Sequence, residues 1–204
     1  MDWNKIPSDK IIAKTISSLK QNGMDAMVVD NKDQARKKVL ELIPEGSEVM
    51  EASSTTLKQI GLLEVIHEYG KYDSVKKKLS SLSRDTDHLE MQKIGAAPEY
   101  VIGSIHAVTL DGKALIASKT GSQLPSYAYG ASHVIWVVSA KKIVKDLEKA
   151  FKRIYEHVLP LESDRANKAY GITTGSYVSK LLIINKEINP QRIKIIFVKE
   201  DLGF

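Results

Sequence analysis

Apolar residues recur along this chain in two rhythms: short continuous runs, and helical spacings of three and four. Ile11, Ile12, Thr15, Ile16 and Leu19 share one helical face behind Ser8, and Asn22-Gly23 supplies a stop. Asp25 to Val29 is a short apolar run that reads as a strand. A second helix starts at Asn31 or Asp33 and turns Ala35, Val39, Leu40 and Ile43 inward. Pro44 to Ser47 is a turn and Glu48 to Glu51 a second strand. Ser53 or Ser54 then opens a helix that packs Leu57, Ile60, Leu62 and Leu63. Short strands alternating with helices predict a parallel sheet covered by helices on both faces.

From Tyr69 the pattern weakens. Lysine and serine dominate to Arg84, and a helix begun at Asp85 or Asp87 carries Met91, Ile94 and Ala97 up to Pro98. Residues 69–98 therefore read as a helical excursion, as 1–22 reads as an N-terminal helix. Tyr100 to Ile102 is a strand. His106–Leu110 and Lys113–Ala117 flank Asp111-Gly112, a strong hairpin signal. Leu124 to Tyr129 reads as a short helix, and His133–Val138 is the most apolar strand, which predicts a central place. Ser139 is the expected cap of a long helix over Lys141–Val158. Its Ile143, Val144, Leu147, Phe151, Ile154 and Val158 form the buried face; Lys141, Lys142, Lys145, Lys149, Lys152 and Arg153 form the solvated side. Pro160 predicts the end of that helix, with a further helical segment at Glu162–Ala169. Tyr177–Asn185 and Ile193–Lys199 are the last two strands. The expectation is one α/β domain over residues 1–204, with no internal repeat.

Composition narrows the function classes. The 43% apolar and 27% charged residues are ordinary for a soluble globular protein. With no cysteine, disulfides, thiolate-held iron–sulfur clusters and cysteine nucleophiles are excluded. No apolar run reaches the ~18 residues needed to span a bilayer, and the opening MDWNKIPSDK lacks a signal-peptide core. A cytoplasmic location without membrane contact is the default expectation. The net charge of +5 gathers in Lys71, Lys76, Lys77, Lys78 and Arg84, and again in the Lys141–Arg153 set. No RNP strand, zinc finger or helix-turn-helix accompanies it, so no nucleic acid is expected. The five histidines show no HxH, HxxxH or HExxH spacing, so neither a metal nor another cofactor is expected.

Two hydroxyl-rich segments carry the candidate chemistry. Glu51-Ala52-Ser53-Ser54-Thr55-Thr56 runs from a strand end into a helix start, where free amides and a partial positive charge suit an anion. Plain N-capping is the bland alternative and needs only one of those hydroxyls. Glu51 stands at the carboxyl end of its strand, where open α/β sheets bind ligands. Directly after the hairpin, Thr120, Gly121 and Ser122 offer donors with little bulk, or simply turn the chain. Gly171 to Ser176 repeats that composition. Arg165 is able to clamp a carboxylate or phosphate, or to pair with Glu162 or Asp164. His106 lies in the hairpin near the second loop.

Val101–Thr109 (VIGSIHAVT), Lys119–Ser122 (KTGS), Ala131–Val138 (ASHVIWVV) and Lys142–Ala150 (KIVKDLEKA) together resemble the LUD-domain family, the LutC-type lactate utilization proteins. Leu159–Ala169, Thr174–Lys180 and the Arg192 to Phe204 tail resemble its short stand-alone members. The resemblance implies a three-layer α/β/α fold with a mostly parallel central sheet plus a hairpin addition, similar to the sugar-phosphate isomerase, CoA-transferase and formyltetrahydrofolate cyclo-ligase group. In ribose-5-phosphate isomerases a hydroxyl-rich loop, an acidic turn and a glycine-rich loop form the pocket. Loose positional similarity puts Ser53–Thr56, Thr109–Gly112 and Thr120–Gln123 in those places. The acidic DGADE-type loop is replaced here by a hairpin turn, so isomerase chemistry is not implied.

Larger family members work beside iron–sulfur proteins in a lactate-oxidising assembly. Their His-Gly-Pro segment is replaced here by Glu187–Arg192. The resulting expectation is a ligand-binding or accessory protein of lactate or organic-acid metabolism. Ser53, Ser54, Thr55, Thr120, Gly121, Ser122 and Arg165 would hold a small anionic molecule. One alternative is an enzyme acting on a phosphorylated or CoA-linked molecule, with Glu51 or Asp111 as acid–base. Another is a subunit that docks a redox protein through Lys71–Arg84. A homodimer is a further candidate assembly.

Overall fold

A computed structural model describes residues 2–67, 70–83, 85–171 and 174–204. Six strands form an all-parallel sheet: β1 (Asp25–Val29), β2 (Glu48–Glu51), β3 (Asp73–Ser74), β4 (Tyr100–Gly103), β7 (His133–Ser139) and β10 (Ile193–Val198), in the order β1-β10-β7-β4-β2-β3. One helix precedes β1 and five more lie in the crossovers between β1 and β4, as parallel pairing requires. They are α1 (Asp9–Gln21), α2 (Lys32–Leu42), α3 (Thr55–Gln59), α4 (Leu62–His67), α5 (Val75–Ser80) and α6 (His88–Ala96). β7 lies inside the sheet, between β10 and β4, as its unbroken apolar run predicts.

The two faces of this sheet bury different partners. Val49, Ile102, Ile135, Val137, Ile196 and Val198 pack against Ala35 and Val39 of α2, Leu57 of α3, and Leu62 and Ile66 of α4. On the other face Val101, Val134, Trp136, Ile195 and Phe197 meet Leu19 of α1 and a second sheet. That second sheet has four strands, β5 (Ala107–Thr109), β6 (Ala114–Ser118), β8 (Ile143–Val144) and β9 (Lys180–Ile184), in the order β8-β5-β6-β9. Alternation along the strands divides their side chains. Val108, Ala114 and Ile116 face the large sheet. Ala107 and Leu115 face Ala150 and Ile154 of the helical path that begins with α7 (Leu147–Arg153). The α/β architecture with a parallel central sheet is thus as the sequence implies. The expected hairpin is the middle of a separate sheet.

The largest departure lies between residues 139 and 170. Ser139 caps no long helix. Ala140–Lys142 is a tight turn, and Ile143-Val144 pairs with Val108-Thr109 as β8. The helix starts only at Leu147, capped by the Asp146 side chain, which accepts the Lys149 N–H at 3.0 Å. It then passes through a wide turn at Ile154–Val158 into α8 (Leu159–Tyr170). Pro160 does not stop it, because a first-turn proline lacks only an N–H that needs no intrahelical partner. One consequence concerns charge: Lys141, Lys142 and Arg153, assigned above to a solvated helix side, are buried at 5%, 3% and 0% exposure. Leu124–Tyr129 is likewise displaced, to a single wide turn at Ser126–Gly130.

The hairpin tip docks on α1. Asn22 donates through Nδ2 to the carbonyls of Asp111 and Gly112 at 2.9 and 3.0 Å. Gly112 has φ +81°, and a Cβ there would sit 2.7 Å from the Ser18 carbonyl carbon. Gly112→Ala is expected to cost about 2–4 kcal/mol, from left-handed strain plus the overlap. Urea unfolding measures this; an unchanged midpoint would contradict the docking.

Candidate functional site

β10, β7, β4 and β2 are neighbours and parallel, so their carboxyl ends stand in a row. Ser54 follows β2 and caps α3 by accepting the Leu57 N–H at 3.3 Å. Ser53 beside it is exposed, while Ser54 and Thr55 are half-buried. Thr56, buried, donates to the Ser104 hydroxyl beyond β4 at 3.4 Å. Lys142, beyond β7, donates to the same hydroxyl and to the Ile105 carbonyl, each at 3.1 Å. The backbone of Gly203 lies over this group, since a Cβ there would collide with the Thr56 hydroxyl and come 3.3 Å from Lys142 Nζ. Among the described residues no carboxylate pairs with Lys142. Burial first, then the charges of Arg153 and Lys141, pull its pKa well below the usual lysine value.

Arg153 lies on the other side of the same loop. Its Nη1 donates to the His106 carbonyl at 2.7 Å. Burial lowers its pKa to about 10, which leaves it charged at neutral pH. His106 accepts the Ala117 N–H through Nδ1 at 3.0 Å. The residue is half-buried beside Lys142 and Arg153, and its pKa falls to about 3, through burial first and those two charges next. Lys141 pairs with Asp201 and also donates to Gly203 O at 2.9 Å and Asn4 Oδ1 at 3.2 Å.

A second polar group surrounds Glu51, at the carboxyl end of β2 as predicted. Its side chain is 2% exposed, with Lys76 Nζ at 3.5 Å and His67 Nε2 at 3.7 Å. His67 Nδ1 stands 2.8 Å from the Ser74 hydroxyl. Burial, then the Lys76 charge, lowers the His67 pKa, and Glu51 opposes them.

The other predicted residues are dispersed. Thr120 and Ser122 are exposed and bond to each other at 3.2 Å, while Gly121 N–H donates to Ser118 and its Cα lies against Lys180. Among the described residues no hydrogen bond joins Thr120–Ser122 to Ser53–Thr56. Asp111 is at the exposed hairpin tip, bonded to Thr109 and Lys113, and shares no group with Glu51. Arg165 pairs with Glu162 through Nε and Nη2 at 2.6 and 2.7 Å, the bland alternative named above. In the basic segment, Lys71 pairs with Glu45, Lys76 with Glu51, and Lys78 with Glu48 and Asp73; Arg84 lies outside the described residues. So do Ile172 and Thr173 of the second small-residue loop.

Lys142, Arg153 and Ser104 are what the sequence reading missed. Helical spacing placed the two cations on a wet face. The β-branched pair Ile143-Val144 ahead of Asp146 was the available signal that the helix starts later.

No described helix is long and apolar enough to cross a membrane, and no group of three or more described His, Asp or Glu residues is set to hold a metal ion. A parallel sheet flanked by helices, with polar groups along its carboxyl edge, defines an α/β domain. The model of the LUD domain family matches residues 12–198, and the chain belongs to that family. Among solved structures it is similar to a DUF162 family protein from Deinococcus radiodurans, determined at 1.70 Å. The two are 11% identical, with 94% of this chain and 99% of that chain covered at a TM-score of 0.58; the likeness is one of fold. No curated protein matches the chain.

The His106 environment sets a pH dependence. The unfolded chain takes up a proton at this residue near pH 6.5, which the native state refuses until about pH 3. Native stability must therefore fall as pH drops through that window. His106→Gln keeps an acceptor for the Ala117 N–H and removes the titration. It is expected to recover about 2–4 kcal/mol of the acid loss, a figure discounted for partial exposure. Denaturant midpoints at several pH values test this, and parallel pH profiles for parent and variant would refute it.

Proposed function

We propose that this LUD-domain protein binds a small organic anion, a carboxylate of the lactate type, at the carboxyl edge of its six-stranded sheet. The family is associated with lactate utilization. The observation that carries the reading is Lys142: a buried amino group with two neutral acceptors and no described carboxylate partner. Burial and the neighbouring cations disfavour its ammonium form, and an incoming anion would supply the counter-charge that form lacks. Ser53, Ser54 and Thr55 form the polar lip, and the ligand enters beside the Leu202–Phe204 tail. Thr120, Gly121, Ser122 and Arg165 have their own partners and play no part in this reading.

A second reading, acid–base catalysis on the bound acid, is favoured by one observation. Glu51 is a buried carboxylate facing both His67 and Lys76 within 3.7 Å. Glu51→Gln would then preserve binding and abolish turnover.

The test is thermal and chemical unfolding with lactate, against acetate and inorganic phosphate. An anion present at 100 times its dissociation constant stabilises by ~2.7 kcal/mol. Lys142→Met is expected to unfold cooperatively and to lose that gain. Equal gains in parent and variant would refute the assignment.

A further inference from the structure

Arg153 presents a second site, beyond the one assigned to Lys142. It is 0% exposed, and its Nη1 donates to the His106 carbonyl. Among the described residues Nε and Nη2 are buried without partners. These two atoms form one edge of the guanidinium, the edge that grips two oxygens of a carboxylate or phosphate in parallel. Arg165 uses that same edge on Glu162, and Arg192 turns Nη1 on Glu187 at 2.6 Å. The Arg153 edge is open.

The surroundings fit an anion. His157, four residues along the same helical path, has its Nε2 buried without a partner. It lies near enough to Arg153 and Lys141 for their charges to lower its pKa, after burial. Asp201 is the neighbouring carboxylate, and it is taken by Lys141. Arg153 Nε and Nη2 and His157 Nε2 are thus three buried polar atoms, one helical turn apart, without a described hydrogen-bond partner. The N-terminal strap covers them. Trp3 stacks on His157 with ring centroids 6.3 Å apart and packs on the Ala107–Ile154 cluster, while Asn4 accepts from Lys141.

We propose that Arg153 and His157, under the strap carrying Trp3, form a second binding site for one small oxyanion that presents two oxygens side by side, a carboxylate or a phosphate. The strap lifts to admit it, and the anion completes the guanidinium edge.

Trp3 reports the event directly, because the other tryptophan, Trp136, is wholly buried beneath Tyr127. Its emission is followed while acetate and, separately, inorganic phosphate are added, each against sodium chloride at matched ionic strength. A saturable change with either anion is expected, and the arm that saturates at lower concentration identifies the source. Trp3→Phe should abolish the optical signal, while the Nε–H proton resonance of Arg153 still shifts on anion addition. Arg153→Lys keeps the charge and removes the fork, and is expected to weaken binding at least about tenfold. A saturable Trp3 response is expected to persist in Lys142→Met, at an affinity altered by loss of the neighbouring basic group, so the two sites fail separately. No saturable response to either anion would overturn the proposal. So would equal affinity in Arg153→Lys, or an Arg153 Nε–H resonance in the parent that ignores both anions, a readout that does not depend on any variant folding.

Discussion

Two buried basic side chains hold consecutive carbonyls of one short crossover. Lys142 takes the carbonyl of Ile105 and Arg153 takes that of His106. Ser104–His106 is the segment by which the chain leaves β4 of the parallel sheet and enters β5 of the second sheet. Removing either side chain strands a carbonyl at the seam between the two sheets, and unmade bonds of buried groups cost about 1–3 kcal/mol each. The seam in turn fixes how Val108, Ala114 and Ile116 meet Trp136 and Phe197. The packing of the molecule and its candidate chemistry therefore rest on the same two side chains.

Basic groups are an unusual choice for a joint. A neutral donor would hold a carbonyl at lower desolvation cost, since burying an ion costs several kcal/mol even after relaxation. Lys141 is neutralised by Asp201, but no described acid pairs with Lys142 or Arg153. Lys142 follows the carboxyl end of β7 and reaches the segment that follows β4, and an anion there would favour its protonated form. The Glu51, His67 and Ser74 group stands at the end of β2, in the same row of strand ends.

Much of the sheet was legible because its signals are local. Unbroken runs such as His133–Val138 mark buried parallel strands, and Asn31 and Ser54 cap the helices as their residue types predict. Glu51 was placed correctly by its position at a strand end. Lys142 and Arg153 were not, because helical spacing alone cannot reveal that Ile143-Val144 belongs to a strand whose partner is thirty-odd residues earlier, a pairing set by tertiary contact. Thr120–Ser122 and Asp111 show the opposite error. Small polar residues look the same in a cradle and in a turn, and here they bond to one another and to the backbone.

The ionisation of Lys142 tests the central claim most directly. Carbon-labelled lysine side chains followed by NMR give its titration in the free protein and with saturating carboxylate. The account predicts a titration below the ordinary 10.5 in the free state, because burial and the neighbouring cations disfavour the ammonium. It also predicts an upward move when an anion binds, since the counter-charge stabilises the protonated form. A free-state titration at the ordinary value, or one that no anion moves, would contradict it.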